Sequence, residues 1–235
     1  MSRSLIPATA IPAALLAALV ALPLGAHADT AAESAVERML QALGGRTAWA
    51  RVTNTVNDSQ QDRLAEPAVV RTVITMDFER PRLRIESSAP GLHVVRAIDG
   101  ERHWRRSRAG ELGPMSDETL ADDRRFYAGH IYRTLARLAR RDTALSVGLG
   151  AEGRIEVREA GARIAWYLLD ARSHPYRYGA HGDDTGSLFG PWDHVRDGIH
   201  HPVWVTRPDG SWRAMLKELR VNVALEDSVF AQPPR

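Results

Sequence analysis

The chain has 235 residues, no cysteine and a formal net charge of +2, with 31 basic side chains offset by 29 acidic ones. The missing cysteines exclude a disulfide framework and a lipid-bearing cysteine, and the near-balanced charge speaks against a nucleic-acid partner. The length suits one large domain whose core stabilises it unaided.

At the N-terminus, Arg3 precedes an apolar run over 11–24, and Ala26-His27-Ala28 places small residues where a signal peptidase reads. The run is short and broken by Pro12 and Pro23, whereas a membrane-spanning helix needs about 20 apolar residues. These features predict a signal peptide over 1–28, cleavage after Ala28, and a periplasmic, not membrane-spanning, single domain over 29–235. Loss of Arg3 leaves a net charge of +1.

In the remaining chain, Val36, Met39, Leu40 and Leu43 recur at helical spacing before Gly44-Gly45, which predicts an amphipathic helix over 33–43. Trp49 follows as a core residue. The period then changes to two, predicting strands over 52–63, 68–78, 83–87, 92–98 and 103–106, with Asp99-Gly100 as a hairpin turn. Val70, Ile74, Met76 and Phe78 share one face of the second strand. A long helix over 117–141 comes next, capped by Ser116, striped by Leu120, Tyr127, Ile131, Leu135 and Leu138, and weakened midway by Gly129. Strands resume over 145–149, 154–159, 163–169, 175–181, 188–195 and 200–206. The last, over 212–223, follows a Pro-Asp-Gly turn and alternates Leu219, Val221 and Val223 with polar residues, which suits a closing edge of the sheet. About ten or eleven antiparallel strands with segregated helices define an α+β fold, the helices lying against one face of a curved sheet.

Chemistry-bearing motifs are few. His174, His181, His194, His200 and His201 lie near Asp183, Asp184, Asp193 and Asp197, but their spacing matches no known metal site, and the adjacent His200 and His201 point to opposite faces of a strand. Asp183 and Asp184 read as turn residues. No nucleophile elbow, phosphate loop or paired-carboxylate signature is present, so neither an enzyme nor a cofactor or metal is expected. The arginines form a solvated face balanced by carboxylates, or a surface on which Arg133, Arg137 and Arg140 dock an envelope protein or an anionic head group. Tryptophans and aliphatic strand faces fill a core or line an apolar cavity. A ligand-free interaction module and a metal enzyme built on the C-terminal histidines remain the rival readings.

The exported N-terminus, Ala42-Leu43-Gly44-Gly45 before the first long strand, and the strand pair around Asp99-Gly100 combine with Arg196-Asp197-Gly198-Ile199, His201-Pro202-Val203 and Leu225-Glu226-Asp227-Ser228-Val229-Phe230. In that order they resemble the LolA-like superfamily of periplasmic carriers in outer-membrane lipoprotein sorting. The resemblance implies an unclosed β-barrel of about 11 strands whose helices lid a cavity for lipid or lipoprotein acyl chains. It also implies an early-strand arginine that holds the lid, for which Arg71, Arg80, Arg82 and Arg84 compete. Strand alternation then nominates Val70, Ile74, Met76, Phe78, Ile85, Val94, Trp104, Ile164, Trp166, Leu168, Val203 and Val205 as the ligand-binding residues.

Overall fold

In the computed structural model, which describes residues 25–66, 68–180 and 182–234, the chain opens with helix α1 (Gly25–Ala42). The signal-peptide expectation for 1–24 lies outside the described residues. Helix α1 starts earlier than the pattern over 33–43 suggests and contains position 28. Its buried stripe Val36, Met39, Leu40 and Leu43 enters the core. Gly44 ends the helix at φ +107°, where a side chain would strike the Gly198 carbonyl. In the short α2 (Arg46–Ala50), Trp49 is fully buried, stacks on Tyr132 at 6.0 Å, and donates its indole N–H to the Leu43 carbonyl at 2.9 Å.

An antiparallel meander follows: β1 (Asn54–Arg63), β2 (Val70–Asp77), β3 (Arg82–Ala89), β4 (Leu92–Asp99), β5 (Arg102–Arg106) and β6 (Leu112–Gly113). Two helices then cross the sheet, α3 (Asp117–Gly129) and α4 (Ile131–Ala139). The long helix expected over 117–141 thus breaks at His130, whose ψ of 133° is not helical. The Gly129 carbonyl, which a continuing helix would pair with its own amides, accepts instead from the Tyr178 hydroxyl.

The second half runs through β7 (Leu145–Leu149), β8 (Ile155–Glu159), β9 (Ala162–Leu169), β10 (Pro175–Ala180), β11 (Ser187–Phe189), β12 (His194–Arg196), β13 (Ile199–His201), β14 (Trp204–Thr206) and β15 (Trp212–Val221). The strand expected over 188–195 is split because Pro191 lacks an N–H and the space beside Gly190 is filled by the Trp204 ring. Pro202 likewise divides the strand expected over 200–206, and β12 and β13 form a separate ribbon turned by Asp197 and Gly198, both at positive φ.

The remaining strands make one open 13-stranded sheet in the order β6-β5-β4-β3-β2-β1-β15-β14-β11-β10-β9-β8-β7. Its edges are β6 and β7. Strand β15 is therefore central, pairing with β1 from Thr55↔Val221 to Arg63↔Trp212 with a bulge at Asp58/Ser59. The fold is α+β, with helices on the inner face of an unclosed antiparallel sheet.

Candidate ligand cavity

Register decides which side chains face the helices. Asn57 opposes Ile74, Ile74 opposes Ile85, and Ser87 opposes Val94, so the row through Thr55, Asn57, Ser59 and Gln61 on β1 shares the inner face with Val70, Thr72, Ile74 and Met76 on β2. Between this face and the α3–α4 junction lies a cavity of about 320 Å³. Its apolar wall includes Ile74, Phe126, Ile131, Phe189, Val205 and Leu216, and its polar lining includes Asn57, Ser59, Gln61, His130 and Ser187. Asp183 and Arg207, also on the lining, form an ion pair with each other.

On the lining, Tyr178 and Phe189 are the middle of an aromatic row. Tyr167, Tyr178, Phe189 and Trp192 follow one another across β9–β11 and the segment beyond, with successive ring centroids 5.5, 5.9 and 5.4 Å apart. Thr134 of α4 shares a hydrogen bond with the Tyr167 hydroxyl, and Tyr178 holds Gly129, so the same row anchors both helices to the sheet. On the other half of the sheet, Arg96 of β4 makes a two-pronged ion pair with Asp123 of α3, Nε–Oδ2 2.7 Å and Nη2–Oδ1 3.0 Å. Tyr127 of α3 donates to the Asp77 carbonyl at 2.7 Å. From the N-terminal side, Arg46 donates to the Leu138 and Ala139 carbonyls, and Arg140 of the next turn donates to Ala50 and Val52.

The arginine candidates for a lid contact face elsewhere. Arg71 pairs with Asp58, Arg80 and Arg82 with Asp77 and Asp227, and Arg84 with Glu86 and the Val229 carbonyl. Arg96 is the β-strand arginine that reaches α3. Its partner had a signal in the sequence: Asp123 lies between Leu120 and Tyr127 on the apolar stripe of the helix, and a carboxylate there needs a cation facing it.

Of the residues expected to line a cavity, Ile74 and Val205 do line this one. Met76, Phe78, Ile85 and Ile164 belong to the main core or pack against it. Val70 and Val94 lie on the same inner face farther along their strands. Val203 is half-buried between β13 and β14 and gives its N–H to Pro191. Trp104, Trp166 and Leu168 lie on the opposite, outer face, a correction with two causes. Trp104 opposes Ala97, whose parity differs from that of Val94; it packs with Val95 and Ala97 and donates to the Phe230 carbonyl at 2.8 Å. In β9 a bulge skips Ile164 in the pairing with β8, so Ile164 and Ala165 both reach the core while Trp166 turns outward, beneath the Arg154 guanidinium and bonded to the Asp183 carbonyl.

His130 is buried at the helix junction, edge-on to Phe126 at 5.1 Å and Tyr132 at 5.3 Å. Burial, aided by the charge of Arg133, pushes its pKa down to about 3, so the ring is neutral. The C-terminal histidines do not converge: His194 and His201 face each other across the β12–β13 ribbon with centroids 4.9 Å apart, and His174 sits by Asp170. His181 lies outside the described residues. Among the described residues, no group of three or more histidine or carboxylate side chains is placed to hold a metal ion, and no helix is long and apolar enough to cross a membrane.

The fold and cavity define the class: an open antiparallel sheet whose inner face is covered by helices, with a partly open, mostly apolar cavity between them. No protein-family model and no curated protein matches the chain. Among solved structures, it is similar to a DUF1329 family protein from Desulfovibrio piger, with a TM-score of 0.42 and 11% identity over 87% of this chain and 97% of that one.

Proposed function

We propose that this protein is a soluble periplasmic carrier or scavenger of a lipid or similar apolar molecule, acting without covalent chemistry and related to the LolA-like proteins it resembles. The supporting observation is the cavity of about 320 Å³ between the sheet and the α3–α4 junction, within the usual size of small-molecule sites. At roughly 30 Å³ per water-sized group, it takes about ten heavy atoms. Burying about ten methylenes at about 0.8 kcal/mol each yields roughly 8 kcal/mol before the costs of ordering ligand and lid. That suffices for reversible capture of one acyl chain.

Native mass spectrometry of the protein purified from its own envelope, with titration by a fluorescent fatty acid, tests this reading. Co-purifying lipid and saturable uptake are expected. A consistently ligand-free protein that also takes up no probe would overturn it.

A further inference from the structure

Register places Arg63, Arg96 and Arg105 on the inner face of β1–β5 with no carboxylate beside them, because every Asp and Glu of these strands alternates to the outer face. Arg96 is neutralised by Asp123 of α3, and Arg105 is exposed to solvent. Arg63 is half-buried and differs from both. It stands opposite Trp212 of the cavity lining in the β1–β15 pairing, and its side chain doubles back over the sheet. Nε and Nη2 donate to Gln61 Oε1 at 2.9 and 2.6 Å, and Nη2 also donates to Thr72 Oγ1 at 3.1 Å and Ser87 Oγ at 3.4 Å. Thr72 and Ser87 share the cross-strand row of Ser59, so the guanidinium lies at the polar end of the cavity, which Ser59 and Gln61 line. Every group that holds it is neutral. Among the described residues Arg63 makes no ion pair, and Glu66, whose charge acts on it, pairs with Arg108 at 2.7 Å. Burial pushes its pKa below the usual guanidinium value, with Glu66 opposing the fall and Arg96 adding to it. Nη1 donates to no described group and keeps accessible surface. A guanidinium fixed by neutral acceptors, with one arm unused and no counter-ion, is ready to receive an anion.

Resting on the ligand-binding reading above, we infer that the cavity takes a single-chain amphiphile with an anionic head, a carboxylate of the fatty-acid type, whose oxygens accept from Arg63 while its apolar chain lies against Ile74, Phe126 and Leu216. One chain is the limit. A volume of about 320 Å³ takes about ten heavy atoms, which excludes the paired chains of a diacyl lipid. The charges on the lining itself do not compete for the head, because Arg207 and Asp183 neutralise each other. A cationic head finds its only lining carboxylate in that same pair and meets Arg63 as a like charge.

The test is calorimetric titration of the purified protein at neutral pH with decanoate, methyl decanoate and decylamine, ligands of similar size that differ in the head, and with acetate, the head without the chain. Decanoate should bind about tenfold or more tightly than its methyl ester, the value of a charge-assisted hydrogen bond, and more tightly than the amine. Acetate at the same concentrations should give no binding heat. In Arg63→Met the preference for acid over ester should vanish while ester binding is kept. In Arg105→Met, which removes an exposed charge from the same face, the preference should persist. Equal affinity for acid and ester, a preference for the amine, an Arg63→Met protein that still favours the acid, or a preference lost equally in Arg105→Met would each overturn the inference and leave the carrier reading standing. Acetate binding as tightly as decanoate would assign Arg63 to a free anion and overturn it as well. Failure of every chain-bearing ligand and of the fluorescent fatty acid would remove both. Should Arg63→Met not fold, the comparison of acid, ester and amine on the unaltered protein decides alone.

Discussion

Gly129 is where the lid meets the sheet, and Gly129→Ala tests how tightly the two are pressed together. A Cβ built there would lie 2.3 Å from the Ile164 carbonyl oxygen and 3.3 Å from Ala180 Cβ. Ordinary contact begins near 3.4 Å, so helix and strand must separate by about 1 Å. The obstacle is backbone, with no flexible side chain to swing aside, which puts the cost at the upper end of the roughly 1–3 kcal/mol usual for overpacking. Alanine's better helix propensity returns up to about 1 kcal/mol, leaving a net loss of about 2 kcal/mol. For a chain of this size that is roughly 4–8 °C in Tm. Gly148→Ala on β7 is the control: nothing lies within 4 Å of its Cβ position, and alanine should leave stability unchanged or raise it by up to about 1 kcal/mol. Urea unfolding of both variants, with m compared to confirm the same transition, reads the difference. If Gly129→Ala unfolds at or above the midpoint of the parent protein, the lid is not seated on β9 as described. A ligand bound beneath the displaced helix should also dissociate faster.

Three further outcomes follow from the same geometry. Arg96→Met strands the buried Asp123 carboxylate; with Arg96 itself 38% exposed, the loss should be about 2 kcal/mol by urea unfolding, and clearly larger than that for Arg71→Ala, whose guanidinium is 61% exposed. Equal losses would show that Asp123 does not depend on Arg96. Because the folded pKa of His130 is about 3 and its ordinary value 6.5, the unfolded chain binds the proton more readily between these values; His130 should therefore lower stability by about 1.4 kcal/mol for each pH unit below about 6.5, levelling off near 3. His130→Phe should remove roughly 2 kcal/mol of the drop between pH 6.5 and 4.5, while His201, lowered to about 4, contributes equally to both proteins; an unchanged slope would place His130 in contact with solvent. Ile74→Trp should fill the cavity and weaken fluorescent fatty-acid binding by about tenfold or more with little change in Tm, and undiminished binding would locate the ligand elsewhere.

The meander from β1 to β5 was legible because period-two alternation and the Asp99-Gly100 turn agree with each other, and their boundaries fall within two residues of the pattern. The second half was less so. Whether Pro191 and Pro202 interrupt or merely edge a strand depends on what fills the space beside them, and Trp204 against Gly190 is a tertiary fact. The face of β9 was lost to its bulge, which no local pattern marks. The β1–β15 pairing was invisible for another reason: both strands alternate properly, but nothing local says that residue 55 will meet residue 221. That pairing moves β15 from an expected edge to the centre and brings Asn57 beside Leu219, and Ser59 and Gln61 beside Leu216 and Ala214.

Strand β1 sets a polar row beneath the helices. It occupies the middle of the sheet, between β2 and β15, where an inner row of valine, isoleucine or leucine would be the ordinary solution. Its inner row is instead Thr55, Asn57, Ser59 and Gln61, facing Ile74 and Met76 one strand away. Thr72, Ser87 and Arg63 close a network with Ser59 and Gln61 toward one end, so those two side chains are satisfied within the fold. Asn57 is not, and a buried unmet amide oxygen costs about 1–3 kcal/mol. An apolar side chain at position 57 would remove that cost, so this row is held polar at the expense of stability.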